Sequence, residues 1–198
     1  MLFTRATYIG IDPSRGKYAV AFAALDANLK LLALGAGNVE EALAFTGGQR
    51  QAVVAINAPS MLSRPKPEEP ALNEGKDCAD CRKAERDLIL KGYDSYETPA
   101  SLKACKPWMR LGFDIYDHIQ QLGYKVTLNE DSPLRFLEAQ SNISYQRWIG
   151  KEPMHKYSLE GRIQRQIVLR DLRLPVEEPM NFFEEVTRYR MLQGELPE

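Results

Sequence analysis

The chain has 198 residues, of which 44% are hydrophobic and 27% are charged, and its formal net charge is -1. This length favours one domain with a substantial core, and the near-neutral charge gives no global argument for binding nucleic acid or a membrane, so any such site must be local. No apolar run approaches the roughly 18 residues of a membrane span, no signal-peptide pattern opens the chain, and three cysteines favour a reducing compartment, which together predict a cytoplasmic protein.

The first predicted element is an apolar strand that ends in an acid, Asp12. Turn residues follow and lead into a second apolar run, 18–25, which predicts a β-hairpin with Asp12 at its mouth. A carboxylate at the end of a buried strand can hold a divalent cation or orient a phosphate, and Gly10 leaves room for another backbone to approach. The alternative role for Asp12 is to cap the turn through its own backbone.

A second polar side chain follows a later strand. The apolar run 29–34 predicts a third strand, and Asn38 is a plausible N-cap for a short helix over 39–45. Residues 52–56 are continuously apolar, as in a strand that is buried on both faces beside parallel neighbours. This fourth strand ends in Asn57, which is expected to face Asp12 if the two strands are neighbours.

Residues 60–107 are proline-rich with mixed charges and predict a long insertion after the fourth strand. Within it, 79–91 is helical by pattern, with Arg82 on an exposed or cleft-facing turn. The insertion also holds every cysteine: Cys78, Cys81 and Cys105. They could ligate a structural zinc ion, although a fourth ligand at suitable spacing is lacking, or remain as reduced, weakly packed thiols.

Regular structure resumes after the insertion. An amphipathic helix is predicted over 108–122, a fifth strand over 124–128 and a helix over 134–140, with two acids, Glu130 and Asp131, after the strand. Ser158 predicts the start of a further helix, and a last helix is predicted to begin at Asn181 and run to 192. Residues 135–173 carry eight Lys or Arg against four Asp or Glu, so this region is locally basic.

Short motifs in a fixed order extend over most of the chain: Gly10-Ile-Asp12, Ala55-Ile-Asn57-Ala-Pro59, Cys81-Arg-Lys-Ala-Glu85, Thr98-Pro99, Trp108-Met-x-x-Gly112-Phe, Glu130-x-x-Pro133 and Lys156-x-x-x-x-Gly161-Arg-x-x-Arg165. This pattern resembles the DUF429 proteins, predicted nucleases with a ribonuclease H-like fold. The resemblance implies a single α/β domain over 1–198 whose mixed five-stranded sheet has strands 1–3 antiparallel, strands 4 and 5 parallel to strand 1, and helices on both faces. The family's C-terminal helix, which usually brings another aspartate, is expected to be absent.

The resemblance also implies a metal site. Acids at adjacent strand ends of such folds bind Mg²⁺ or Mn²⁺, and the matching positions here are Asp12, Glu130 and Asn57. Asn57 stands where the family has an acid, so it keeps an oxygen ligand but removes one negative charge. The site is therefore expected to be weak or inactive.

Three functions remain open. The first is a metal-dependent nuclease in which Lys156, Arg162, Arg165 and Arg82 bind the substrate, the first three through backbone phosphates. The second is a non-catalytic ribonuclease H-like scaffold or nucleic-acid-binding protein. The third is an actin-like or sugar-kinase-like nucleotide binder, which the chain is too short to form in the usual two-domain manner. The sequence does not predict the oligomeric state.

Overall fold

The computed structural model describes residues 6–13, 19–64, 81–126 and 132–194. The strands are β1 (Thr7–Pro13), β2 (Val20–Leu25), β3 (Leu31–Gly37), β4 (Ala52–Ile56), β5 (Lys125–Val126) and β6 (Leu134–Glu138). The helices are α1 (Val39–Gly47), α2 (Lys83–Leu90), α3 (Pro107–Gln121), α4 (Ser141–Ile149), α5 (Leu159–Asp171) and α6 (Pro179–Leu192).

The described strands form one mixed sheet in the order β3-β2-β1-β4-β6-β5. The first three strands are antiparallel, and β4 lies parallel to β1, as the sequence predicted. The next strand on that side is β6, parallel to β4, and β5 is a short parallel strand at the edge. The α/β class is therefore confirmed, whereas the predicted count of five strands is wrong.

The difference arises at β6. Residues 134–140 were predicted to be helical, but Leu134–Glu138 is a strand in register with the whole of β4. Ala52 N donates to Pro133 O and Ala139 N to Ile56 O, so backbone pairing continues at both ends. Long-range pairing here overrides the helix propensity of Leu, Arg and Glu. The predicted strand 124–128 is present at Lys125–Val126, and the residues after it lie outside the described part of the chain.

One face of the sheet carries the hydrophobic core. Alternate residues of β1 are buried, including Ile9 and Ile11, and they join Ile56 of β4 and Ile115 and Ile119 of α3 in one cluster. The intervening residues of β1 leave the sheet on its other face. Tyr8 is 45% exposed there, and Asp12 is half-buried. The apolar strand β3 forms an edge of the described sheet, with Leu32 and Leu34 exposed.

Two of the three predicted helix N-caps are confirmed. Asn38 Oδ1 accepts a hydrogen bond from Glu41 N at the start of α1, and Ser158 Oγ accepts one from Gly161 N at the start of α5. The cap of α6 is Glu178 rather than the predicted Asn181. The sequence did not predict α4 at all.

The chain divides into two compact units, 1–143 and 144–198. The sheet, α1, α2 and α3 belong to the first unit, and α5 and α6 to the second. Compact units need not be independent domains, so the expectation of a single domain stays a prediction. No helix in the described ranges is long and apolar enough to cross a membrane.

Gly112 generates a prediction about the packing of α3. A Cβ at this position would collide with the Cβ of Ala58, which is fully buried just after β4. A Gly→Ala change in a helix interior normally stabilises by about 1 kcal/mol. We expect Gly112→Ala to destabilise instead, by about 1–3 kcal/mol in urea unfolding, because the backbones must separate. Adding Ala58→Gly should recover part of this loss, and a stabilised single variant would contradict the close approach.

Candidate functional site at the carboxyl ends of the parallel strands

The neighbouring parallel strands β1, β4 and β6 each have a polar residue at or next to their carboxyl end. In the sheet register, Ile11 of β1 lies beside Ile56 of β4, and Ile56 lies beside Glu138 of β6. Asp12 follows Ile11 within β1, and Asn57 follows Ile56 directly after β4. The backbone N–H of Asn57 donates to Ile11 O. In open α/β sheets, ligands bind outside the carboxyl ends of the strands. This edge is therefore the candidate site.

Asp12 and Asn57 are in direct contact, as the sequence predicted. Asn57 Nδ2 donates to Asp12 Oδ1 at 2.9 Å, and Asn57 Oδ1 accepts from the backbone N–H of Ser141 at 3.0 Å. A carboxylate only accepts and a backbone N–H only donates, so these two partners fix the orientation of the amide. The Asn57 side chain thus holds Asp12 on one side and the first residue of α4 on the other.

The third predicted ligand, Glu130, lies outside the described residues, as does Asp131. The expectation that Asp12 and Glu130 converge within reach of one ion therefore stays a prediction. Among the residues that the structure does describe, no three His, Cys, Asp or Glu side chains are grouped so that they could hold a metal ion.

Glu138, which the sequence analysis did not single out, is the centre of a largely buried ionic network. Arg82 Nη1 donates to Glu138 Oε2 at 2.7 Å, and Nη2 donates to Oε1. The same guanidinium binds Glu85, with Nε donating to its Oε1 at 2.8 Å. The Glu85 side chain is fully buried, and the Arg82 side chain is 13% exposed. One guanidinium is therefore shared by two carboxylates.

Neutral donors complete the network. Tyr96 Oη donates to Glu138 Oε1 at 2.9 Å, and Ser60 N donates to Oε2 at 3.0 Å. Thr98 donates to Glu85 through both its backbone N–H, at 3.0 Å, and its hydroxyl. A buried carboxylate is tolerated when it is paired and fully hydrogen-bonded, and these donors meet that requirement for both acids.

The protonation of the network follows from these contacts. Burial alone would raise the pKa of Glu138, but the hydrogen bonds and charge of Arg82 outweigh it, so the pKa lies below its ordinary value of 4.5. Burial and the Glu138 charge raise the pKa of Tyr96 well above its ordinary value of 10.0. The Tyr96 hydroxyl therefore stays protonated and remains a donor to Glu138.

The structure gives Arg82 a different environment from the one predicted. The sequence suggested a substrate contact, whereas the guanidinium is occupied by Glu85 and Glu138. The i,i+3 spacing of Arg82 and Glu85 was a visible signal for their pairing. Nothing local pointed to Glu138, which is 56 residues from Arg82 and lay in a segment predicted to be helical.

The remaining predicted phosphate contacts belong to the second unit. Arg165 Nη1 donates to Met154 O at 2.8 Å and to Gly161 O at 2.9 Å, so this side chain organises local backbone. Lys156 and Arg162 are exposed. Whether these cations flank the strand ends depends on how the two units are arranged, and it stays a prediction.

The cysteines do not present three free thiols. Cys105 is a buried free thiol that donates to Ser101 O at 3.4 Å, and burial raises its pKa. Cys81 is disulfide-bonded, which differs from the predicted reduced state, and zinc binding by the cysteines stays a prediction. Cys78 lies outside the described residues.

Comparison with known proteins adds no relative. No protein-family description, curated protein or solved structure matches this chain. The resemblance to the DUF429 proteins therefore depends on the sequence motifs alone.

The network predicts a large effect of removing Arg82. Arg82→Ala leaves Glu85 and Glu138 without their cation, and breaking a buried pair in this way costs about 3–5 kcal/mol of unfolding free energy. Arg110→Ala is the matched control, because its exposed guanidinium binds only a backbone oxygen among its described contacts, Lys103 O. Adding Glu85→Gln and Glu138→Gln to Arg82→Ala should restore much of the loss. Equal stability of Arg82→Ala and Arg110→Ala would contradict the network.

The lowered pKa of Glu138 predicts a pH dependence of stability. Well above pH 4.5 the carboxylate is ionised in both the folded and the unfolded chain, so its contribution is fully present. As the pH falls below 4.5 the unfolded chain takes up the proton first, and stability is lost. Urea unfolding across this range should show a smaller loss for Glu138→Gln than for the unchanged protein. Glu97→Gln, at an exposed position, should leave the slope unchanged.

Proposed function

We propose that this protein is a divalent-metal-dependent phosphodiesterase acting on nucleic acid, with low activity, and that its sheet is of the ribonuclease H-like type. The observation that carries the proposal is the contact between Asp12 and Asn57 at the carboxyl ends of adjacent parallel strands. Strands β3, β2, β1 and β4 have the order and directions expected of that fold, which supports the assignment. A cytoplasmic location and dependence on Mg²⁺ or Mn²⁺ belong to the same proposal.

The oxygen atoms at the strand ends are of the type that binds a hard divalent ion, but too few of them are available to hold one. Carboxylate and carboxamide oxygens are the ligands that Mg²⁺ prefers. However, Asn57 Oδ1 already accepts a backbone N–H, and Glu138 is paired with Arg82. Of these three residues, Asp12 alone carries a negative charge that forms no salt bridge within the described part of the chain. An ion here would need further ligands, and Glu130 is the proposed source.

A non-catalytic nucleic-acid-binding protein is the second candidate. The hydrogen bond from the Asn57 amide to Asp12 favours it, because this contact stabilises the carboxylate without any ion. Where two acids would repel each other and attract a cation, an acid and an amide attract each other. The pair as it stands therefore supports weak ion binding.

Asn57→Asp separates the two candidates. The change replaces an attractive contact with Asp12 by two adjacent carboxylates, whose repulsion a divalent ion relieves. We expect calorimetric Mn²⁺ binding to tighten by roughly tenfold or more, since charged ligands dominate affinity at such sites. Cleavage of a labelled oligonucleotide in Mn²⁺ should be little or none for the unchanged protein and should rise for Asn57→Asp.

The double variant Asp12→Asn with Asn57→Asp is a matched control. It keeps one acid and one amide at the two strand ends, so its net charge equals that of the unchanged protein. Its Mn²⁺ affinity should stay close to the original. If Asn57→Asp binds Mn²⁺ no more tightly than this control, position 57 is not a metal ligand. If it binds Mn²⁺ tightly yet cleaves nothing, the non-catalytic candidate is favoured.

A further inference from the structure

The second unit carries unusually exposed aromatic rings. Trp148, in α4, is 54% exposed, and Tyr157, just before α5, is 60% exposed. Large aromatic side chains normally bury most of their surface, because each ring contributes strongly to the hydrophobic stabilisation of a core. Rings left open to solvent are therefore candidates for contacts with another molecule.

These rings lie in two groups, each of which contains a cation. The Tyr145 and Trp148 rings are edge to face, with centroids 6.1 Å apart, and the Arg165 guanidinium lies 5.4 Å from the Tyr145 centroid. Lys156 Nζ lies 5.1 Å from the centroid of Tyr157. We call the set Tyr145, Trp148, Lys156, Tyr157 and Arg165 the aromatic–basic surface.

Backbone contacts hold this surface in one arrangement. Arg165 binds the carbonyls of Met154 and Gly161, and so connects α5 to the segment that precedes it. Gly161 allows the start of α5 to approach that segment closely, because a Cβ there would collide with His155 O. Tyr157 lies in this held segment, and Trp148 lies in the helix α4, so neither ring is carried by a free loop and the entropy cost of binding is lowered.

The segment that carries the rings is locally basic. Residues 144–173 contain seven Lys or Arg and three Asp or Glu, a surplus of four positive charges, one of which, on Arg170, is paired with Glu178. Arg147, Lys151, Lys156 and Arg162 are exposed. A ligand for this surface must therefore combine planar groups that stack on rings with negative charges at short intervals.

We propose that the aromatic–basic surface binds single-stranded nucleic acid. Cations lie close to the rings: Lys156 Nζ lies over the Tyr157 ring, and Arg165 lies over the Tyr145 ring, which packs edge to face on Trp148. Unpaired bases stack on aromatic rings, and the backbone phosphates bind the cations. Paired bases within a duplex do not offer their faces. The inference rests on the proposed function, since it names the form of nucleic acid that this protein takes.

Binding is measured without divalent ions, so that it does not depend on catalysis. The full chain is titrated in EDTA and low salt against a short fluorescein-labelled oligothymidylate, the matching oligouridylate and a duplex of equal length. We expect tighter binding of the single strands than of the duplex. Trp148→Ala and Tyr157→Ala should each weaken single-strand binding by roughly tenfold, the usual effect of losing one stacked base.

Tyr189→Ala is the matched control, because Tyr189 is a 65% exposed tyrosine in the same unit, on α6. Its single-strand affinity should equal that of the unchanged protein. Lys156→Ala should also lower the slope of log K against log salt by roughly 0.7, as expected for one lost phosphate contact to a single strand. Circular dichroism confirms that each variant is folded.

Tryptophan fluorescence gives a second reading. The chain has two tryptophans, Trp108 in α3 and Trp148. Stacking of a base on Trp148 should quench the emission of the unchanged protein, and Trp148→Phe should abolish the quenching while Trp108→Phe retains it.

Four results would overturn the inference: no binding of either single strand, equal affinity for the duplex, unchanged affinity of both ring variants, or displacement of the oligonucleotide by phosphatidylserine vesicles with Trp148 entering the lipid. The experiments distinguish failure of this inference from failure of the proposed metal-dependent function.

Single-strand binding that needs Trp148 and Tyr157 supports this inference even if Asn57→Asp gains no Mn²⁺ affinity. Tight Mn²⁺ binding and cleavage by Asn57→Asp, without any role for the rings, would overturn this inference alone.

Discussion

The shared guanidinium of Arg82 is the interaction on which the carboxyl edge of the sheet depends. It joins the end of β6 to the first turn of α2, and the bound carboxylates in turn hold Ser60, Tyr96 and Thr98. These groups come from distant parts of the sequence. A planar cation with several fixed donors suits this position, because two carboxylates can bind it at once in defined directions. The described parts of the insertion, 60–64 and 81–106, are thereby attached to the end of β6 by polar contacts.

Two local capping signals predicted helix starts correctly and a third, Asn181, did not, whereas long-range pairing was predicted for β4 with β1 but missed for β6. Asn38 and Ser158 act as helix caps because the cap and the N–H that it accepts are three residues apart. The strand β6 has no comparable local signal, since Leu, Arg and Glu are common in helices and only its register with β4 makes it a strand. Glu138 was missed for that reason, and its ion pair with Arg82 could not be foreseen.

At the candidate site, too, one contact was predicted from the sequence and another was not. Sequence alone indicated that Asp12 and Asn57 face each other, because both follow apolar strands of the type that pair in parallel. It did not indicate that Asn57 Oδ1 would bind the first residue of a helix that had no sequence signal. The identity of the residue at position 57 therefore matters twice. It sets the charge at the strand ends, and it binds the backbone N–H of Ser141.

The strand β3 forms an edge of the described sheet, where a second copy of the chain can pair at high protein concentration. This strand carries no charged residue, and Leu34 is 75% exposed. An apolar edge strand offers free backbone groups to any second strand, and natural sheets usually interrupt such an edge with lysine, proline or a bulge. The bulge opposite Ala24 and Leu25 lies at the start of β3, away from its glycine-containing end. Among the residues that the structure describes, the second half of β3 is therefore the part of the sheet at which a strand from a second copy would pair most readily.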